Sequence, residues 1–484
     1  MKERKTSLAQ NAVLNGIKQA CSVLFPLLSF AYCTRILGKD GVGVYSFSQS
    51  IVAYFILIAA LGIPNYAIRE GTLLRDEESK LKQFIDQVFT INCISMVLSF
   101  ILLAGTVLAV PKLHGYTLAI AVLSAQLLLN TIGVDWVNTI LEDYLYLTIR
   151  YILFQVVAFG CLVLFVRTES DVIIYVLITM LANVGGNVLN VFYIRRQGLY
   201  PRVTRDINLH KHLIPILILF ANNIAGVIYL NSDITMLGFF MTEADVGVYY
   251  ASSKVYTLVK TLINAVIMVT IPRFTYYIGK GQISEYKDKM SEIAGVLLLA
   301  VVPCMVGIVS EAKTILLLIA GKGYEEGIPV VRMLALAIPV AVFACFFSYS
   351  VLIPNKKEKQ FMIATIVAAA ANILMNLFMI PLVGLVGASI TTLVAETIVV
   401  SITIWYSKGI ALPKFDLKSV ISVLVGAAAI FGVCFGVGLL PLGTITGFAV
   451  KVVLSGVAYF ACLFVFGNKQ VVSALDRIRH RHNQ

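Results

Sequence analysis

Asp40-Gly41-Val42-Gly43-Val44-Tyr45 and Ala244-Asp245-Val246-Gly247-Val248-Tyr249 are two copies of one phrase, offset by 204 residues (249 − 45), and each opens a long apolar run. Working outward from them, six apolar spans separate the copies. An even number of crossings returns a chain to the same membrane face in the same direction, so the repeats are parallel rather than inverted. Parallel repeats in a polytopic chain predict two bundles related by an axis along the membrane normal, with a substrate path between them.

Composition agrees with a bilayer setting. Of 484 residues, 59% are hydrophobic and only 13% charged, against roughly half and a quarter in soluble domains. A crossing needs roughly 20 apolar residues, and about fourteen such runs follow one another, from 11–34 and 44–66 to 420–440 and 444–466. The expected fold is all-α: a polytopic membrane protein of about fourteen transmembrane helices, two parallel six-helix bundles plus two C-terminal helices. The expected boundaries are a first bundle over 1–198, a linker over 199–211, a second bundle over 212–406, and two further helices with a basic tail over 407–484.

The net charge of +12 raises the question of nucleic acid, and the positions of the basic residues decide it. They cluster in alternate loops: Arg69 to Lys82, Arg195 to Lys211, Arg273 to Lys289, Lys356 to Lys359, Lys408 to Lys418, and the tail. With Lys2, Arg4 and Lys5 placed in the cytoplasm, this is the asymmetry of the positive-inside rule. Both termini are therefore expected to be cytoplasmic, and nucleic acid is not an expected partner. Asn11, Asn15 and Lys18 interrupt the apolar region that a cleavable signal would need, so the first span is expected to stay in the mature protein.

Eight scattered cysteines without a C-x-x-C pair read as small reduced core residues. The five histidines read as loop and tail residues, and no metal site is expected from them. No Walker A motif, H-E-x-x-H or G-x-S-x-G is present, and the outer loops are short. The chain is not expected to be an enzyme or to carry a cofactor, and a membrane glycosyltransferase is a weak alternative.

Charge inside the spans is the strongest functional signal. In the first span Asn11, Asn15, Lys18, Ser22 and Ser29 share a helical face, and the 204-residue offset superposes Lys18 on Asn222, Ser22 on Gly226 and Ser29 on Asp233. Close packing through small and amide side chains explains the uncharged members equally well. Lys18, roughly 15 Å into its helix, is near the midplane, where a lysine costs on the order of 3 kcal/mol unless it faces water, a carboxylate or an anionic ligand. Lys254 and Lys260 lie in span eight, roughly 120° apart around the helix. Arg35 and Arg332 either extend a basic lining or serve as interfacial anchors. Asp233 and Glu396 are the candidate carboxylates for coupling to H⁺ or Na⁺, with a permanent ion pair as the equal alternative; Asp135, nearer the inner end of its span, is a third. Asn183, Asn187 and Asn190, like Asn372 and Asn376, read mostly as packing.

Val134-Asp135-Trp136 followed by Leu141-Glu142-Asp143-Tyr144-Leu145-Tyr146-Leu147-Thr148-Ile149-Arg150 resembles a signature of the polysaccharide transporter family. These are the Wzx-type lipid-linked oligosaccharide flippases of the multidrug/oligosaccharidyl-lipid/polysaccharide exporter superfamily. Leu37-Gly38 before the first phrase, Pro272-Arg273-Phe274, and Gly384 to Ser389 resemble the same family, whereas Asn138-Thr139-Ile140 departs from its more usual Gln-Gly. The resemblance implies movement of an undecaprenyl-diphosphate-linked oligosaccharide across a bacterial plasma membrane. The implied partners are that substrate, membrane lipids, and a polysaccharide polymerase and glycosyltransferases. The competing readings are a multidrug exporter of the same superfamily, which the lysines disfavour, and a non-transporting scaffold for polysaccharide enzymes.

Overall fold

Long apolar runs leave the backbone no partner but itself, so the chain folds as helices throughout. A computed structural model describes residues 8–472, without the side chains of 8–15, 19, 20 and 222. The side chains of Asn11, Asn15 and Asn222, and the charged residues within 1–7 and 473–484, therefore lie outside what the structure describes. Thirteen runs among those described are long and apolar enough to cross a membrane. The first, Gly16–Leu73, has 58 residues and as one helix would reach about 87 Å, nearly three times a hydrocarbon core of about 30 Å. It holds the predicted spans 11–34 and 44–66, and between them the chain kinks at Gly38 (φ 65°, ψ −174°), a conformation open to glycine. Cut there, the thirteen runs become the fourteen expected.

Contacts divide the chain into two units, Met1–Gly247 and Val248–Gln484. The first contains α1 (Leu8–Ala60), α2 (Ile63–Leu73), α3 (Glu78–Ala109), α4 (Thr117–Gly133), α5 (Asp135–Ile140), α6 (Tyr144–Phe165), α7 (Val172–Val184), α8 (Gly186–Arg196) and α9 (Leu209–Phe240). The division differs from the expected start of a second bundle at 212, because α9 packs along α1. Thr235 donates to Ser50 at 3.0 Å and shares a 3.1 Å hydrogen bond with Tyr54. Gly238 gives room to the Phe47 ring, since a Cβ there would come within 2.0 Å of it.

The doubled phrase has a physical reason. A Cβ on Gly43 would sit 1.9 Å from the Glu243 carbonyl oxygen, and one on Gly247 would sit 1.9 Å from that of Lys39. Only glycine permits this approach of two backbones. Elsewhere in this unit, polar side chains tie helices together through carbonyls: Asn92 and Ser95 of α3 donate to Ala59 at 2.8 and 2.7 Å, and Ser99 donates to Phe55 at 2.6 Å. A core of Ile63, Tyr66, Phe84, Ile85, Trp136, Ile140 and Ile194 closes one end. His212 is fully buried at its edge, bonded to Tyr66 (2.7 Å) and Gln87 (2.8 Å). It is a core residue, not the loop residue its charged neighbours suggested.

α10 (Glu243–Met268) starts in the first unit and continues into the second. The second unit adds α11 (Ile271–Gly279), α12 (Ile283–Ala320), α13 (Ile328–Phe346), α14 (Glu358–Val383), α15 (Leu385–Ser407), α16 (Leu417–Gly438) and α17 (Thr444–Val465). Asn372, Asn376 and Thr391 form a buried amide-hydroxyl set between α14 and α15, as packing predicts. Asp416 caps α16 by accepting from the Ser419 N–H at 2.9 Å. Large apolar side chains such as Phe435, Phe460 and Phe464 are about 60% or more exposed, as lipid contact requires and a soluble surface would not tolerate.

Candidate functional site

In the first unit α4 does not run on into α5. Val134 between them takes a left-handed conformation (φ 45°), costly for a β-branched residue, and the break turns Asp135 toward α6 and α8. Arg150 of α6 donates to Asp135 at 2.5 Å, Asn190 of α8 donates to it at 3.1 Å, and Asn138 donates to Asn190 at 2.7 Å. Arg150 is 8% exposed, and its Nη1 has no hydrogen-bond partner, like Trp136 Nε1 and Asn138 Oδ1. Three unsatisfied buried atoms in one cluster are more than a packed interior normally carries. Lys18 of α1 is half-buried, with Nζ 6.0 Å from the Tyr151 ring centroid, and the charges of Asp135 and Arg150 act on it. Two cations and one carboxylate of this unit thus act on one another through their charges.

Beside the cluster is a cavity of about 240 Å³ lined by Asn92, Asn130, Thr131, Asp135, Trp136 and Asn187, with Ile56, Ala59 and Pro64 on its apolar side.

In the second unit Lys260 of α10 meets Glu396 of α15 at 2.5 Å, and Tyr256 donates to the same oxygen at 2.6 Å. Glu396 is only 3% exposed, so both charges survive burial only through each other. Lys254 lies 4.5 Å from the Tyr250 ring centroid, in cation–π range. Of the predicted residues, the structure therefore brings Lys260 and Glu396 into one pair and keeps Lys254 on a separate aromatic partner. Arg35 and Arg332 join neither cluster. Both are exposed; Arg35 donates to the Ala31 carbonyl of its own helix and Arg332 to the Val309 carbonyl at 3.3 Å. Asp233 is half-buried on α9, where its charge acts on Tyr54.

Sequence reasoning passed over Arg150, although it closes the family-like stretch that includes Asp135. It also missed a second buried pair, Lys451 of α17 with Glu311 of α12 at 2.7 Å, 17% and 8% exposed. Their signal was present: Lys451 is a lone lysine in an apolar span, and Glu311 interrupts another. Asn187 and Asn190, read mostly as packing, are cluster and cavity residues. Among the described residues no group of three or more His, Cys, Asp or Glu converges as a metal site would, and all eight cysteines are free thiols.

The polysaccharide biosynthesis protein family matches residues 8–277, more than half of the chain. A protein of Escherichia coli (strain K12) named "Putative O-antigen transporter" is 23% identical over 420 residues, 84% of this chain and 98% of its own. Among solved structures, one titled "Lipid II flippase MurJ, inward closed conformation" superposes with a TM-score of 0.70 at 14% identity, covering 94% of this chain and 98% of that one. An inward-facing multidrug resistance MATE family transporter of the MOP superfamily gives 0.59 at 15% identity, over 82% and 97%. At these identities the structural likenesses establish the fold, a polytopic helical membrane protein.

Proposed function

This chain belongs to the polysaccharide biosynthesis protein family, and from that premise we propose that it is a flippase for lipid-linked oligosaccharide. Its substrate is an undecaprenyl-diphosphate-linked glycan, carried from the inner to the outer leaflet of a bacterial plasma membrane for capsule, O-antigen or exopolysaccharide synthesis. The observation that carries this reading is Lys18. It is a half-buried cation inside the first span, beside a second cation, Arg150, whose guanidinium retains an unpaired Nη1. A diphosphate answers that arrangement, because buried cations are stabilised by an anion that is itself desolvated. A cationic drug does not.

The Glu396–Lys260–Tyr256 group supports coupling to an ion gradient. A carboxylate 3% exposed, held by a lysine and a phenol, can take a proton only when the lysine moves away, which ties protonation to conformation. Asp233 is the second coupling candidate, and Na⁺ is the alternative ion. Glycosyltransferases and a polymerase are the proposed partners on either side of translocation, and both chain termini are cytoplasmic in this reading.

The test is translocation of a fluorescent undecaprenyl-diphosphate oligosaccharide in vesicles. Lys18→Ala should slow it at least tenfold with membrane abundance intact, and a normal rate rejects the cationic site; Lys260→Ala, which leaves Glu396 buried without its lysine, should slow it with a loss of stability as well. Collapsing proton and sodium gradients should stop transport, and unchanged flipping removes Asp233 and Glu396 from the mechanism.

A further inference from the structure

The cavity of about 240 Å³ in the first unit is far larger than one water needs and smaller than the ~300 Å³ at which pockets for drug-sized ligands begin. Its size is that of one sugar ring with its hydroxyls. The polar atoms that line it narrow the chemistry further.

Most of its amide and hydroxyl donors are already committed to the protein. Asn92 Nδ2 donates to Ala59 O at 2.8 Å, Asn187 Nδ2 to Leu129 O at 3.0 Å and to Asn130 Oδ1 at 3.2 Å, and Thr131 Oγ1 to Leu127 O at 2.9 Å. What these residues still offer is mainly acceptor oxygen: the Oδ1 atoms of Asn92 and Asn187 and the Asp135 carboxylate. Two donors stand apart, the first being the exposed Asn130, which keeps its Nδ2 while its Oδ1 accepts from Asn187. The second is Trp136, which is 5% exposed, and its Nε1 is buried with no partner.

An acceptor-rich lining whose remaining donors are the neutral Asn130 amide and one buried indole N–H, with no cation among the lining residues, does not suit phosphate, which needs several donors and charged ones above all. Nor does it suit a bare cation, because the Arg150 guanidinium, 2.5 Å from Asp135, already neutralises the one carboxylate. It suits a neutral molecule with several hydroxyl donors and an occasional acceptor, and the apolar side formed by Ile56, Ala59 and Pro64 suits the C–H face of a sugar ring. We infer that this cavity is a monosaccharide subsite that receives one residue of the glycan. The inference rests on the flippase reading for the origin of the sugar, and it assigns glycan recognition to residues separate from the Lys18 cation.

The protein contains two tryptophans, so Trp405→Phe leaves Trp136 as the sole indole reporter; Trp405 is 65% exposed and remote from the first unit's cavity in sequence. Purified full-length protein in nanodiscs is titrated with a panel of neutral, N-acetylated and acidic monosaccharides, with inorganic pyrophosphate, and with NaCl. The expected result is a saturable emission change with at least one neutral or N-acetylated sugar, weakened at least tenfold by Asn130→Ala, which removes an exposed side chain bonded within the protein to Asn187 at 3.2 Å; an unchanged Tm checks that the fold is intact. A response only to pyrophosphate, only to an acidic sugar or only to NaCl overturns the assignment, as does no response at all. A second measurement separates this inference from the function beneath it. If sugars bind but no lipid-linked glycan crosses vesicles, the subsite stands and the flippase reading fails. If glycan crosses equally fast in wild type and Trp136→Phe and no sugar alters emission, the flippase stands and the subsite fails.

Discussion

The two units hold buried charge in opposite ways. In the second, Glu396 is 3% exposed and has both a lysine and a phenol on one oxygen, so the group is closed and its charge is cancelled. In the first, Arg150 is buried but Asp135 keeps 45% of its side chain exposed, and three neighbouring polar atoms have no partner. A closed pair is a constraint on conformation; an incompletely satisfied one is an invitation to a ligand. The contrast teaches that charge within a span is uninformative about role until its partner is known.

The largest effect should come from opening the closed pair. Glu396→Ala strands Lys260 in the interior and is expected to cost about 3–5 kcal/mol, whereas Lys260→Met with Glu396→Met together should leave stability close to wild type. Thermal unfolding in detergent checks both. If the double variant is stable and still transports, the pair is structural only, and the proposed coupling through it is wrong.

A smaller effect is expected in the open cluster. Arg150→Met removes a donor from a carboxylate that is half in solvent and retains Asn190, so about 1–3 kcal/mol is lost, while translocation falls more steeply than stability. Equal losses of stability at Arg150 and Glu396 would erase the distinction between the clusters.

The smallest effect lies outside both. Solvent-exposed Asp416 has its carboxyl held below the usual carboxylate range, first by the Ser419 backbone N–H and then by the Ser419 hydroxyl. A depressed folded-state pKa contributes stability that is complete above the unfolded value of about 4 and is lost as pH falls through the lower, folded one. The small Tm difference between wild type and Asp416→Ala should therefore be full at neutral pH and vanish in strong acid. A difference independent of pH would mean that the cap does not act as a carboxylate.

Much of the fold was legible because its signals are local. Span lengths and the doubled phrase both lie in short stretches of sequence. The site was legible only as single charges. Lys260 and Glu396 were each visible as a charge in an apolar run, but nothing in either helix announces a partner 136 residues away. Asp135 and Arg150 are 15 residues apart, yet the turn after Ile140, with Glu142 left-handed (φ 59°), destroys the helical periodicity that would have put them on one face. The register between helices, which decides pairing, is a tertiary quantity. His212 shows the same limit from the other side: polar neighbours in sequence, a core in space.

The Gly43–Gly247 approach carries a consequence of another kind. Each glycine meets the carbonyl lying four positions upstream of the other, Lys39 and Glu243 being themselves 204 residues apart. Such a reciprocal, isologous contact is the form in which two identical chains touch, so the half-length phrase is self-complementary. The distance between the two backbones is one variable written twice in the sequence. A larger residue at either copy therefore displaces both backbones at once.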